Sequence, residues 1–215
     1  MFWGGWEGHE PRACVERFIP FLEKNGFSVQ LFDALDTLAT LSATSRPALL
    51  LPCWTMGQLT QEEEQGFLSA VQAGTGIAGW HGGMCDAFRG NTGYQFMTGG
   101  QFVAHPGGII DYTVSVTAPE DPIVAGIANF TVHSEQYYMH FDPSNEVLAT
   151  TRFTGIEYPW TGGAVMPVVW KRHFGAGRVF YSALGHCAAE FDVMETRTIM
   201  ERGLLWAAAG EHATA

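Results

Sequence analysis

The chain has 215 residues, 47% of them hydrophobic, and carries 22 Asp plus Glu against 11 Lys plus Arg, a net charge of -11. That length and apolar content suffice for a full core, expected as a single domain over residues 1–215. The acidic balance and the lack of any basic run argue against nucleic acid and anionic membranes as partners.

Short apolar runs alternate with amphipathic stretches, the pattern of an α/β fold. Met1 to Gly4 holds at most a short first strand, and it lacks the basic region and long apolar stretch of a signal peptide. Pro11 opens a helix expected to reach Asn25, with Val15, Phe18, Ile19 and Leu22 at helical spacing. Gly26 ends it, and Phe27 to Phe32 alternates as a strand. Ala48 to Leu51 is an apolar β run of the kind covered on both faces. Thr60-Gln-Glu-Glu63 is a capping box before a helix to about Ala73. Gly76-Ile-Ala-Gly-Trp80 is the next buried strand, and His81-Gly-Gly83 follows at once.

Residues 90–165 are richer in Gly, Pro and aromatics, with strands expected at Tyr112–Thr117 and Glu146–Thr151. Pro167–Phe174 and Arg178–Leu184 flank Gly175-Ala-Gly177 and read as a hairpin. A helix from about Glu195 to Ala209 closes the pattern. The expected architecture is a doubly wound, mostly parallel sheet with a C-terminal antiparallel hairpin. Such a sheet delivers its ligand-binding loops to the C-terminal edge of its strands. The longest apolar runs are too short to span a bilayer. Cys14, Cys53, Cys85 and Cys187 show no C-x-x-C spacing and read as reduced, mostly buried thiols, so a cytoplasmic location is expected.

The sharpest local pattern is Gly79-Trp-His81-Gly-Gly83, with the G-x-nucleophile-x-G spacing of a strand-to-helix elbow. Its centre is histidine, which can act as base, acid or metal ligand; the bland alternative is a glycine-rich turn. His186 leaves a core strand in Leu184-Gly-His186-Cys-Ala-Ala-Glu190, with Glu190 placed to orient its ring. In Val132-His-Ser-Glu135-Gln-Tyr137-Tyr138, an extended chain would send His133, Glu135 and Tyr137 to one side. His9 and His105 sit in glycine-rich loops. Trp6, Trp54 and Trp80 fall at strand ends, where an aromatic wall could stack on a sugar ring. No H-E-x-x-H, structural zinc spacing, P-loop or dinucleotide fingerprint occurs, so no nucleotide cofactor is expected. A divalent metal such as zinc, assembled from dispersed histidines, stays open.

Gly4-Gly-Trp-Glu-Gly-His-Glu-Pro11, Gly79-Trp-His-Gly-Gly83, His133-Ser-Glu-Gln-Tyr-Tyr138 and the stretch from Pro167 to His186 together resemble the ThuA-like (trehalose utilisation) family. That family is similar in fold to the flavodoxin-like class I glutamine amidotransferases. The resemblance implies that His81 stands where those enzymes carry a nucleophilic cysteine, that His186 matches their late histidine, and that Glu190 matches their late glutamate only loosely. It further implies carbohydrate substrates: trehalose, related disaccharides or 3-keto-sugars. The first strand is shorter than is usual in the family.

On this reading His81, Glu135 and His186 are the catalytic candidates. His9, Trp80, His105, Tyr137, Tyr138 and Glu190 are the substrate-binding ones. Without an elbow thiol, glutamine hydrolysis through a thioester has no nucleophile. Three readings remain: acid/base chemistry on a sugar or keto-sugar, a non-catalytic sugar-binding or regulatory protein, and a metal-dependent hydrolase using His9, His81, His105 or His186. Homo-oligomerisation is left open.

Overall fold

The computed structural model describes residues 1–210. The first half contains β1 (Phe2–Gly5), α1 (Pro11–Glu16), α2 (Ile19–Lys24), β2 (Leu49–Leu50), β3 (Pro52–Thr55) and α3 (Gln61–Gln72). There follow β4 (Gly76–Trp80), α4 (His81–Cys85), α5 (Thr92–Thr98), β5 (Gly100–Ala104), β6 (Ile109–Val116) and β7 (Phe130–Glu135). The chain continues through β8 (Tyr138–Phe141), β9 (Glu146–Arg152), β10 (Val165–Phe174), β11 (Gly177–Ser182) and α6 (Met194–Ala208). The domain expected over 1–215 takes in residues 211–215, which lie outside the described residues.

β2 and β3 form one extended segment that serves two neighbours. β3 pairs with β1 and β2 with β4, both in parallel. β11 adds parallel to β4, with Phe180 opposite Ala78. Beyond it the sheet runs antiparallel through β10, β9, β6 and β7, while β5 and β8 form a separate antiparallel pair. The fold is therefore mixed α/β, and its antiparallel part extends well past a terminal hairpin. Burial gives the reason. In β6, Tyr112 and Val114 are buried while Asp111 and Thr113 are exposed, so one face is wet, which antiparallel strands tolerate. In β4 every residue is buried.

Helices cover both faces of β11. A Cβ on Gly203 of α6 would lie 2.2 Å from the Phe180 ring, whereas one on Gly177 would meet Val71 of α3. Positions three apart on a strand face opposite ways, so α6 and α3 sandwich it. Trp170, Tyr181, Phe180 and Phe67 fill the core between these layers.

Two expected elements differ. The helix over Pro11–Asn25 is broken into α1 and α2, because Pro20 has no N–H to give to Glu16 and its ring crowds that carbonyl. The expected strand at Phe27–Phe32 shrinks to one bridge, Phe32 to Phe2, beside a first strand only four residues long. The capping box stands: Thr60 Oγ1 accepts from Glu63 N–H, and Glu63 accepts from Thr60 N–H.

Candidate functional site

β4 leads into α4 through His81, whose φ of 44° is left-handed. A side chain held there rises from the C-terminal edge of the sheet, as in nucleophile elbows. The neighbouring glycines are required by contact. A Cβ on Gly83 would lie 3.0 Å from Cys53 Cα, and one on Gly82 would lie 2.4 Å from the His9 ring. The elbow thus packs its backbone directly against β3 and the loop after β1.

Three side chains from distant segments meet over this turn. His81 Nε2 is 3.1 Å from Glu135 Oε2, at the end of β7. His186 Nδ1, in the loop after β11, is 3.3 Å from His81 Nε2 and 3.4 Å from Glu135 Oε2. His9 places its ring edge-on to both imidazoles, at centroid distances of 4.9 and 5.1 Å. Tyr137 lies against the His81 ring at 4.0 Å. His105 reaches from the solvent side, its Nε2 3.6 Å from Glu135 Oε1.

The outer nitrogens of two histidines are fixed. His81 Nδ1–H donates to the Ala183 carbonyl at 2.8 Å, which leaves Nε2 to face Glu135. His9 Nδ1 bonds Thr55 Oγ1 at 2.7 Å. Burial, then the neighbouring His81 and His186, pushes the His9 pKa down to about 3. Burial alone would raise the Glu135 carboxyl, but hydrogen bonds from His186 and His81 outweigh it and hold it below the usual carboxylate range. His186 moves up, chiefly through its bond to Glu135. The cluster therefore holds an ionised carboxylate among imidazoles that cannot all be charged.

A cavity of about 180 Å³ opens over the cluster, lined among others by Trp6, His9, Phe102, His105, Glu135 and Tyr137. Met56 and Arg89 also line an adjoining hollow of about 410 Å³. A larger cavity of about 460 Å³, lined by Met1, Phe27 and Leu49 among others, holds no histidine or carboxylate.

A family model described as trehalose utilisation (ThuA) matches residues 1–207. The chain belongs to the ThuA family. No curated protein sequence matches it. Among solved structures, a ThuA-like protein of Bacteroides uniformis superposes with a TM-score of 0.73 at 16% identity, covering 96% of this chain and 88% of that one. A ThuA-like protein of Parabacteroides merdae gives 0.69 at 17% identity with the same coverage. A cytoplasmic protein of Salmonella typhimurium gives 0.57 at 10%, covering 89% of this chain and 85% of the other. At such identities these matches speak for a shared fold.

In this ThuA chain some expected site residues stand elsewhere. Trp80 is only 1% exposed and packs against Phe18 and Phe191, because it points away from the side chain that follows it. Tyr138 faces Phe153, with ring centroids 5.5 Å apart. Glu190 does not orient the His186 ring. Its Oε2 accepts the backbone N–H groups of Gly185 and His186 at 3.0 and 2.9 Å, bracing the loop itself. His133 is exposed and bonds Asp111 rather than joining Glu135 and Tyr137. Trp6 does line the cavity, edge-to-face with His9 at 4.7 Å.

Sequence reasoning passed over Thr55, Asp86, Arg89 and Phe102. Asp86 is buried and receives both Arg89 Nε and Nη2, at 2.5 and 2.8 Å, which sets the guanidinium at the cavity wall. The three-residue Asp-to-Arg spacing was the available signal. Thr55 had a weaker one, as the polar residue ending an apolar strand. Cys85 is buried, and burial raises its thiol well above the ordinary value. It is a core residue.

Proposed function

We propose that this chain is an enzyme of carbohydrate metabolism, acting on trehalose, a related disaccharide or a 3-keto derivative by proton transfer without a cysteine intermediate. The position of Glu135 carries this reading: one carboxylate oxygen lies toward His81 and His186, and the other toward His105 at the cavity mouth. A keto group acidifies the adjacent C–H, so a positioned carboxylate can start elimination or isomerisation with no nucleophile. Glu135 is ionised and ready as a base, though a weak one, which suits an acidified C–H. His105, partly exposed, is placed to exchange the proton with the leaving oxygen. His81, with Nδ1–H spent on Ala183, holds and polarises Glu135 from behind.

Trp6, Phe102 and Tyr137 offer flat apolar faces for one sugar ring. The adjoining hollow past Arg89 suits a second ring. The order Phe32, β1, β3 with β2, β4, β11, and the elbow at His81, support descent from a flavodoxin-like, class I amidotransferase-like scaffold. Four free cysteines favour a cytoplasmic setting.

The test is incubation of purified protein with trehalose and 3-keto-trehalose, followed by NMR, with calorimetry for binding. Turnover abolished by Glu135→Gln supports the enzyme. Binding without turnover would instead mark a sugar-binding protein, and neither binding nor turnover removes carbohydrate as the ligand.

A further inference from the structure

We infer that His9, His81, His186 and Glu135 form a binding site for one first-row divalent cation, with zinc as the ion to test. The inference concerns the same site as the reading above but does not rest on a sugar being its substrate. Each residue brings one donor atom, and the four atoms lie within 4.8 Å of one another.

The spacing fits a tetrahedral shell. Bonds of about 2.0–2.1 Å from zinc to nitrogen or oxygen imply ligand-to-ligand edges of about 3.3–3.4 Å. The His81–Glu135, His81–His186 and His186–Glu135 edges are 3.1, 3.3 and 3.4 Å. The fourth donor, His9, stands farther off, within 4.8 Å of the others, and a shift of its ring that keeps the Nδ1 bond to Thr55 would close the shell. Such a triangle has a second requirement. Glu135 Oε2, His81 Nε2 and His186 Nδ1 converge on one another, and with His81 Nδ1–H given to Ala183 their lone pairs need positive charge between them. Protons on the two imidazoles supply it in the metal-free chain; a cation replaces those protons and satisfies all three donors together.

The outer contacts point the same way. Ligating histidines as a rule donate their second ring N–H to a carbonyl or another polar partner, which fixes tautomer and orientation. His81 does so to Ala183 O, and His9 Nδ1 is held by Thr55 Oγ1. The donor set of three imidazoles and one carboxylate matches zinc and its neighbours. It does not match calcium or magnesium, which take roughly six to eight oxygens or keep a hydrated octahedron. A cation here engages Glu135 through Oε2 and leaves Oε1 facing His105 and the cavity.

The experiment is titration of chelator-stripped, tag-free protein with Zn²⁺ by calorimetry, and with Co²⁺ by visible absorption. One equivalent per chain is expected, with the intense cobalt bands of four-coordinate geometry. His186→Ala and Glu135→Gln should each weaken zinc binding more than 100-fold. Thr55→Val should cost roughly 10–100-fold, the usual effect of losing an outer partner. His133→Ala, on the exposed pair with Asp111, should change nothing. Circular dichroism of each stripped variant verifies folding, and His186, partly exposed in its loop, keeps the test open where buried His81 would not. No binding by stripped wild type, or one equivalent that survives both His186→Ala and Glu135→Gln, overturns the site. Zinc bound with no sugar turned over defeats the preceding reading alone. Sugar turned over by a chain that binds no zinc defeats this one alone.

Discussion

Glu135 and His81, 54 residues apart, meet through Oε2 and Nε2 at 3.1 Å, with His81 almost wholly shielded from solvent behind the carboxylate. This arrangement divides the work. Glu135 faces the cavity, while His81, at the elbow, fixes it from below. The order differs from that of an elbow enzyme, in which the residue at the turn attacks the substrate.

Glu135→Gln keeps size and hydrogen bonding but removes the charge. Turnover of a keto-disaccharide should fall about 100-fold or more, the ordinary scale for losing a positioned acid or base. Sugar affinity should stay within a few-fold by calorimetry. A variant with near-full turnover would move the proton transfer to His105.

Ammonia release from glutamine should not exceed background. A thioester needs a reactive thiolate at the elbow, where His81 stands instead; Cys14, Cys53 and Cys85 are buried with their thiols pushed up, and Cys187 lies in the loop after β11 rather than at the elbow. A coupled ammonia assay checks this. Release that disappears in Cys85→Ser would show that the buried thiol reaches substrate after all.

What could be read from the chain depended on how local its cause was. The capping box at Thr60 and Glu63 needs four consecutive residues, and the apolar run of β4 needs five. Both were legible. Pro20 is an equally local cause: the helical spacing of Val15, Phe18, Ile19 and Leu22 runs across it, yet its missing N–H breaks the helix whatever the periodicity. Strand ends pointed to His81, Glu135 and His186, which the structure brings together. The same logic misplaced Trp80, since consecutive strand residues face opposite ways and only one can stand at the site. Thr55 and Phe102 owe their places to pairings across tens of residues, which no local pattern encodes, whereas Arg89 is set by Asp86 only three residues away. Glu190 lay close to His186 in sequence, yet the unpaired N–H groups of the loop claimed its carboxylate first.

Glu190→Ala should loosen the loop that presents His186. Two backbone N–H groups lose a charged acceptor, which costs about 1.5–3 kcal/mol by the usual value of such bonds. Glu190→Gln keeps an acceptor oxygen and should recover much of that loss in urea denaturation. If Glu190→Ala melts like wild type, water replaces the carboxylate and the loop holds without it.

The last expectation concerns acid stability of the metal-free protein. Burial and the neighbouring imidazoles lower the His9 pKa to about 3 in the folded chain, against an ordinary value of 6.5. Between those values the unfolded chain binds the extra proton, so this contribution is complete above about pH 6.5 and is lost as pH falls toward 3. Glu135, also depressed, adds a second loss that starts below its ordinary value of 4.5. His186 is raised, so its contribution is complete below 6.5 and fades only on the alkaline side, where it cannot offset the acid loss. Urea midpoints in chelator should therefore decline from pH 6.5 downward and more steeply below 4.5. His9→Asn puts an amide near the position of Nδ1 and keeps a partner for Thr55, yet it cannot titrate. Its midpoints should stay flat from 6.5 to 4.5 and then fall with wild type. An unchanged slope in that upper window would assign the proton uptake to another group and leave His9 without a part in acid unfolding.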